Sequence, residues 1–197
     1  MPKIVDHESR KIRIAEATWE VIVEDGLEHA TVRKIAKKAR LSVGSLRNTF
    51  PTQSDLLQYS MQLVSERVRK RIESKRYDGA PLDAVLALFS EFLPADDERK
   101  IEMEVWFVFS AKTLTDPKLK TLFKKVYHDM HGLFREVLLK LKSAGCLKEN
   151  FDLEIEATRL HTLIDGLGIH YLLYPEKMTH EKMMNALQFH LQSICKS

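Results

Sequence analysis

The chain has 197 residues, of which 44% are hydrophobic and 30% charged, and its 31 Lys and Arg exceed 28 Asp and Glu by a formal net charge of +3. It is too apolar for a disordered chain, long enough to bury about 70% of its unfolded surface, and too nearly neutral for its overall charge to imply nucleic acid. Cys146 and Cys195 stand far apart without Cys-x-x-Cys or Cys/His spacing, and no apolar run approaches the ~20 residues of a membrane span, so neither a zinc site, a disulfide framework nor a membrane is expected. With no apolar signal core near the N-terminus, the expectation is a cytoplasmic protein.

Seven Gly and six Pro leave little punctuation, and apolar residues recur at helical spacing in almost every segment between them, which predicts an all-α chain of about nine helices. The first helix is expected from about Asp6 to Asp25, with Ile12, Ala15, Trp19, Ile22 and Val23 inward and Gly26 closing it. Thr31 is placed to cap a short second helix through Val32, Ile35, Ala36 and Ala39. Ser42 is placed to cap a third, from Val43 to about Thr49. Thr52-Gln53-Ser54-Asp55 has the form of a capping box and opens a long helix towards Lys75. Further helices are predicted over Leu82 to Leu93 and around Met103 to Phe109. Three more run from Asp116-Pro117 to near Gly145, from Asp152 to Tyr174, and from Thr179 to Cys195, with Pro175 breaking the last join.

The most informative stretch lies between Glu28 and Asp55, which contains no acid yet holds Arg33, Lys34, Lys37, Lys38, Arg40 and Arg47. Acids beside the phosphate backbone would repel it, whereas Lys and Arg gain affinity by releasing condensed counterions, so two short helices with this charge read as a helix-turn-helix that binds DNA. Gly44 would let the third helix approach the duplex closely, Ser42, Ser45, Asn48 and Thr49 offer short hydrogen-bonding groups, and Val43 can meet a thymine methyl. Arg33 and Lys34 lie in the first turn of the second helix, where they can face DNA. Lys37 and Lys38 are as well explained by solvation.

Gly26, Thr31-Val32, Ile35-Ala36, Ala39, Leu41-Ser42, Gly44-Ser45-Leu46, Phe50 and Leu56-Leu57 together resemble the DNA-binding head of the TetR family of bacterial repressors. The resemblance implies a homodimer on a palindromic double-stranded operator, a DNA-binding domain over residues 1–52, and a helical ligand-binding and dimerisation domain over 53–197. On the matching positions it implies DNA contacts from Thr31, Arg33, Lys34, Ser42, Val43, Gly44, Ser45, Arg47, Asn48, Thr49 and Gln53. The chain departs from the family at three of its positions. Arg40 stands where Gly is usual, a mild change unless the backbone requires positive φ, while Arg47 replaces Tyr and Gln53 replaces Lys.

In the second half Phe89, Phe92, Met103, Trp106, Phe107 and Tyr127 fall on successive helices with polar Ser110, His131, His161 and Asp165, a composition suited to a small-molecule pocket and equally to plain core. His128 with His131 and His161 with Asp165 share helix faces, but without further ligands neither pair predicts a metal, and no cofactor is expected. Apolar rows at Leu160, Leu163, Ile164, Leu167 and Tyr171, then Met183, Leu187, Leu191 and Ile194, suit helices that self-associate. Gly166 and Gly168 suggest close packing there. The rival reading, an all-α enzyme or carrier of a small molecule without DNA binding, lacks any contiguous catalytic or phosphate-binding motif.

Overall fold

The computed structural model describes residues 2–196, with side chains described for 7–117 and 119–196. α1 (Pro2–Asp25) ends at Gly26, whose φ of 85° is the left-handed conformation that favours Gly in this position. A 3-10 turn over Leu27–His29 leads to α2 (Val32–Lys38), and a short turn leads on to α3 (Val43–Thr49). Both predicted caps form: the Thr31 hydroxyl accepts from Lys34 N–H at 3.3 Å and the Ser42 hydroxyl from Ser45 N–H at 3.1 Å. α4 (Gln53–Glu73) opens with the reciprocal pair its sequence anticipates, Asp55 N–H to Thr52 Oγ1 at 3.1 Å and Thr52 N–H to Asp55 Oδ2 at 3.0 Å.

The remaining helices are α5 (Pro81–Ser90), α6 (Asp97–Lys112), α7 (Pro117–Ser143), α8 (Leu153–Leu173) and α9 (His180–Ile194), so nine α-helices are present among the described residues. The fold is all-α, apart from one isolated antiparallel bridge that pairs Leu147 with Cys195. The residues pack as two units. The first comprises the chain through Arg67 together with Glu104–Leu122, and the second Val68–Met103 together with the chain from Phe123. The boundary expected from the sequence falls at 52/53, whereas packing divides inside α4.

In the first unit, Trp19 donates its indole N–H to the Ser60 carbonyl at 3.0 Å and carries the Arg67 guanidinium over its ring at 4.8 Å, so α1 and the first half of α4 hold each other. Val23, expected inward, is 40% exposed. The buried face of α1 instead spreads over Ile14, Ala15, Thr18, Trp19, Val21 and Ile22, because α2 and α4 cover it from two sides.

The turn between α2 and α3 corrects the reading of Arg40. Its φ is 56°, the one positive value at a non-glycine among the described residues, and the hydrogen bonds Arg40 N–H to Lys37 O (3.1 Å) and Leu41 N–H to Ala36 O (2.8 Å) define a Schellman end that requires it. A side chain in that conformation costs about 1 kcal/mol. Arg40→Gly is therefore expected to raise stability by about that amount, read as a higher urea midpoint at unchanged slope. A lower midpoint would mean that the arginine side chain contributes more than its backbone costs.

The core of the second unit is built around Phe134, which meets Phe89 and Phe92 edge-on at 5.0 and 5.1 Å. Leu138, Leu141, Leu160, Ile164, Leu167, Met183, Leu187 and Leu191 complete it. Of the residues expected to form the seam between protomers, Leu160, Ile164, Leu167, Gly168, Met183, Leu187 and Leu191 are buried within the single chain, and Tyr171 is partly exposed. Helical periodicity identifies a packed face without identifying its neighbour, and here the neighbour is the chain's own core.

Charge is also buried in this unit. Arg71 reaches Glu102 Oε2 at 2.9 Å and Glu91 Oε2 at 3.3 Å, and Lys75 and Arg99 also pair with Glu91, so both buried carboxylates have cations beside them.

Candidate nucleic-acid interface and a histidine cluster

The residues of α2 and α3 divide by what already holds them. On α2, Ile35 and Ala36 are buried, while Arg33 and Lys37 stand one turn apart on the exposed face. Lys34 pairs with Asp25 at 3.3 Å, and Lys38 lies between Glu20 (3.2 Å) and Glu24 (2.6 Å), so these two cations face α1. The Glu24 and Glu20 carboxylates hold the Lys38 ammonium above its usual range. Of the two lysines the sequence left ambiguous, Lys37 is the one on the open face. Its i, i+4 relation to Arg33 is the signal that was available.

On α3, Leu46 is the buried anchor, Gly44, Arg47 and Asn48 are exposed, and Val43, Ser45 and Thr49 are half-buried at the edges. Arg33, Lys37 and Arg47 have no ion-pair partner among the described residues. A Cβ placed on Gly44 meets nothing within 4 Å, and the residue lies inside a helix, so the fold itself does not demand glycine there. Ser42 serves as cap, and the Thr49 hydroxyl bonds back to the Ser45 carbonyl at 3.4 Å. Gln53 donates its amide to the Ala30 carbonyl at 2.9 Å, fastening the start of α4 to the residue before the α2 cap.

The residues expected around a pocket separate in the same way. Trp106, Phe107 and Ser110 belong to the first unit, and the Ser110 hydroxyl is taken by the Trp106 carbonyl at 2.8 Å. Phe89 and Phe92 are buried against Phe134, and Met103 is partly buried. What comes together is a ring cluster of α7 and α8: Tyr127 stacks on His161 at 4.8 Å and on His131 at 5.9 Å, and Phe134 meets His161 edge-on at 5.2 Å. His161 is 3% exposed, its Nδ1 has no hydrogen-bond partner, and its Nε2 lies 3.8 Å from the Asp165 carboxylate. No group of three or more metal-ligating side chains occurs among the described residues.

Burial, with repulsion from His131 second, pushes the His161 imidazole down to about 4 despite the nearby Asp165. A histidine lowered in the folded state is neutral there, so its contribution to stability is whole above its unfolded value near 6.5 and is lost as the pH falls from 6.5 towards 4. Full loss corresponds to about 3 kcal/mol. Burial lowers His190 as well, in the same sense. Melting temperature is expected to fall across this range, and His161→Leu should flatten the fall, leaving the part due to His190. An unflattened profile would assign the acid sensitivity elsewhere.

An exposed basic face on a capped two-helix turn, backed by a third helix, is the architecture of a helix-turn-helix DNA-binding protein. Residues 14–59 match the description "Bacterial regulatory proteins, tetR family", and residues 81–196 match "BetI-type transcriptional repressor, C-terminal". The chain is 41% identical to the HTH-type transcriptional regulator PksA of Bacillus subtilis, over 99% of this chain and 94% of that protein. It is 27% identical to the regulator BetI of Burkholderia cenocepacia, over 86% and 85% of the two chains. Among solved structures, a transcriptional regulator from Rhodococcus sp. Rha1 superposes with a TM-score of 0.82 at 27% identity, covering 93% of this chain and 95% of that one. A Saccharomonospora viridis regulator solved with choline shares the fold, with a TM-score of 0.87 at 22% identity over 96% of this chain and all of the other. The chain belongs to the TetR family of DNA-binding transcriptional regulators.

Proposed function

We propose that this protein is a cytoplasmic repressor that binds a palindromic operator as a homodimer and releases it when a small ligand occupies the helical part, residues 53–197. The observation that carries this reading is that the acid-free pair of helices exposes Arg33, Lys37 and Arg47, without ion-pair partners among the described residues, together with Gly44 and Asn48. Arg47 takes the phosphate role, Arg33 and Asn48 are the groups long or polar enough to reach base edges, and Gly44 marks the closest backbone approach. The protein acts by binding rather than by catalysis.

What the single chain leaves uncovered supports a dimer face on α8 and α9. Ile155, Thr162, Gly166, Ile169 and Leu173 form a stripe along α8, and Phe189 projects from α9 with 75% of its surface exposed. Gly166 has nothing within 4 Å of an added Cβ, which supports a second copy as the source of the close packing that would offset about 1 kcal/mol of helix cost. For the ligand, the buried and unpartnered Nδ1 of His161 beside Tyr127 and His131 supports a seat between α7 and α8.

Selecting bound fragments from the source genome tests the reading. The expected result is an inverted repeat near a promoter whose transcription rises when the gene for this protein is deleted. Bound sites without two-fold symmetry would overturn the dimeric mode, and transcription that falls on deletion would overturn repression.

A further inference from the structure

Two arginines of α1 reach the helix-turn-helix from outside it. Arg13 donates from Nη2 to the Ala39 carbonyl at 3.5 Å, at the C-cap of α2. Arg10 donates from Nη2 both to the Ser45 carbonyl, at 3.2 Å, and to the Ser45 hydroxyl. Neither arginine has a carboxylate partner among the described residues, and the Nε of Arg10 is buried without a hydrogen bond. Among the described residues Arg10 is therefore committed to one residue, in the first turn of the recognition helix.

The chemistry of that contact is directional. A hydroxyl carries one donor and two acceptor sites, and a guanidinium can only donate, so Ser45 Oγ accepts from Arg10 and its own proton must go elsewhere. The charge of the guanidinium polarises the O–H as well. Ser45 stands on the edge of the face formed by Gly44, Arg47 and Asn48, half-buried on the side where α1 meets α3. A proton turned away from Arg10 at that edge meets the acceptors DNA presents, phosphate oxygens above all.

We propose that Arg10 is a positioning residue for operator recognition, fixing Ser45 as a polarised donor to the DNA. The inference rests on α3 being the helix that meets DNA. Its signature is non-additivity, since two residues acting through one contact cannot be lost twice.

The test uses the full-length protein and a DNA fragment selected from the source genome, with affinities of the parent, Arg10→Met, Ser45→Ala and the double variant measured across a salt series. Each single change is expected to weaken binding about tenfold, the double no more than the weaker single, with the salt slope of Arg10→Met unchanged. Arg10→Lys, which restores one charged donor, should recover part of the loss. Melting curves identify any variant that merely unfolds, in which case the Arg10→Lys comparison carries the test. Additive losses with a salt slope reduced by about one in Arg10→Met would overturn the proposal by making Arg10 a phosphate contact in its own right. Unchanged affinity in Ser45→Ala would overturn it as well.

Discussion

A Gly44→Leu protein is expected to melt no lower than its parent and yet to lose operator affinity by about a hundredfold or more, roughly 3 kcal/mol. The two halves of this expectation rest on different physics. In the free protein the residue lies inside α3 in open space, so a side chain there strains nothing and a better helix former than Gly costs nothing. Against DNA the same open space is where the sugar-phosphate chain must lie, and four added carbons hold the helix off it. Gly44→Ala should stabilise the free protein slightly and bind with an intermediate loss. The measurements are calorimetric melting and titration of a labelled operator fragment. A Gly44→Leu protein that binds as well as its parent would remove Gly44 from the interface, and one that unfolds would mean that the turn requires it.

Leu187→Glu is expected to unfold the second unit rather than dissociate a dimer. Leu187 is fully buried in the core with Phe134, Leu160 and Met183, and a carboxylate introduced there without a partner costs about 4 kcal/mol or more, a large share of the 5–15 kcal/mol that holds a domain together. Phe189, two positions on, faces outwards from the same helix. Phe189→Glu should leave circular dichroism and melting of the monomer intact while shifting sedimentation from dimer to monomer. The contrast between the two substitutions separates core from interface. A folded dimer in both would place self-association on another surface.

Local signals carried most of what the sequence revealed. Thr31, Ser42 and Thr52 with Asp55 cap the helices they were expected to cap, and Asp152 and Thr179 cap the helices expected to begin near them, because a cap is a bond between a side chain and a backbone N–H only two or three residues away. The acid-free stretch was legible for a similar reason: α2 and α3 are adjacent in sequence, and the turn joining them leaves their exposed sides bearing Arg33, Lys37 and Arg47. What remained hidden depends on partners farther along the chain. Lys38 finds Glu24 across 14 residues, Gln53 finds Ala30 across 23, and Arg10 finds Ser45 across 35, and none of these is set by local spacing. Arg40 is a separate case. Its residue type argues against a left-handed turn, and the paired hydrogen bonds of the α2 terminus override that preference.

The interleaving of the two units fixes an order of events during synthesis. The first unit needs Glu104–Leu122, which the ribosome makes only after Val68–Met103 of the second, so the DNA-reading helices emerge early and wait for α6 and the start of α7 before their unit is whole. The second unit waits longer still. Met183, Leu187, Leu191 and Ile194 are among its buried residues, and the bridge that pairs Leu147 with Cys195 draws on almost the last residues of the chain. A chain stalled or clipped before α9 would therefore carry its basic face while the second unit lacked a completed core, with the apolar sides of α7 and α8 uncovered. Such a product would be a substrate for proteases and chaperones rather than a truncated regulator, because exposed apolar surface is what those systems recognise.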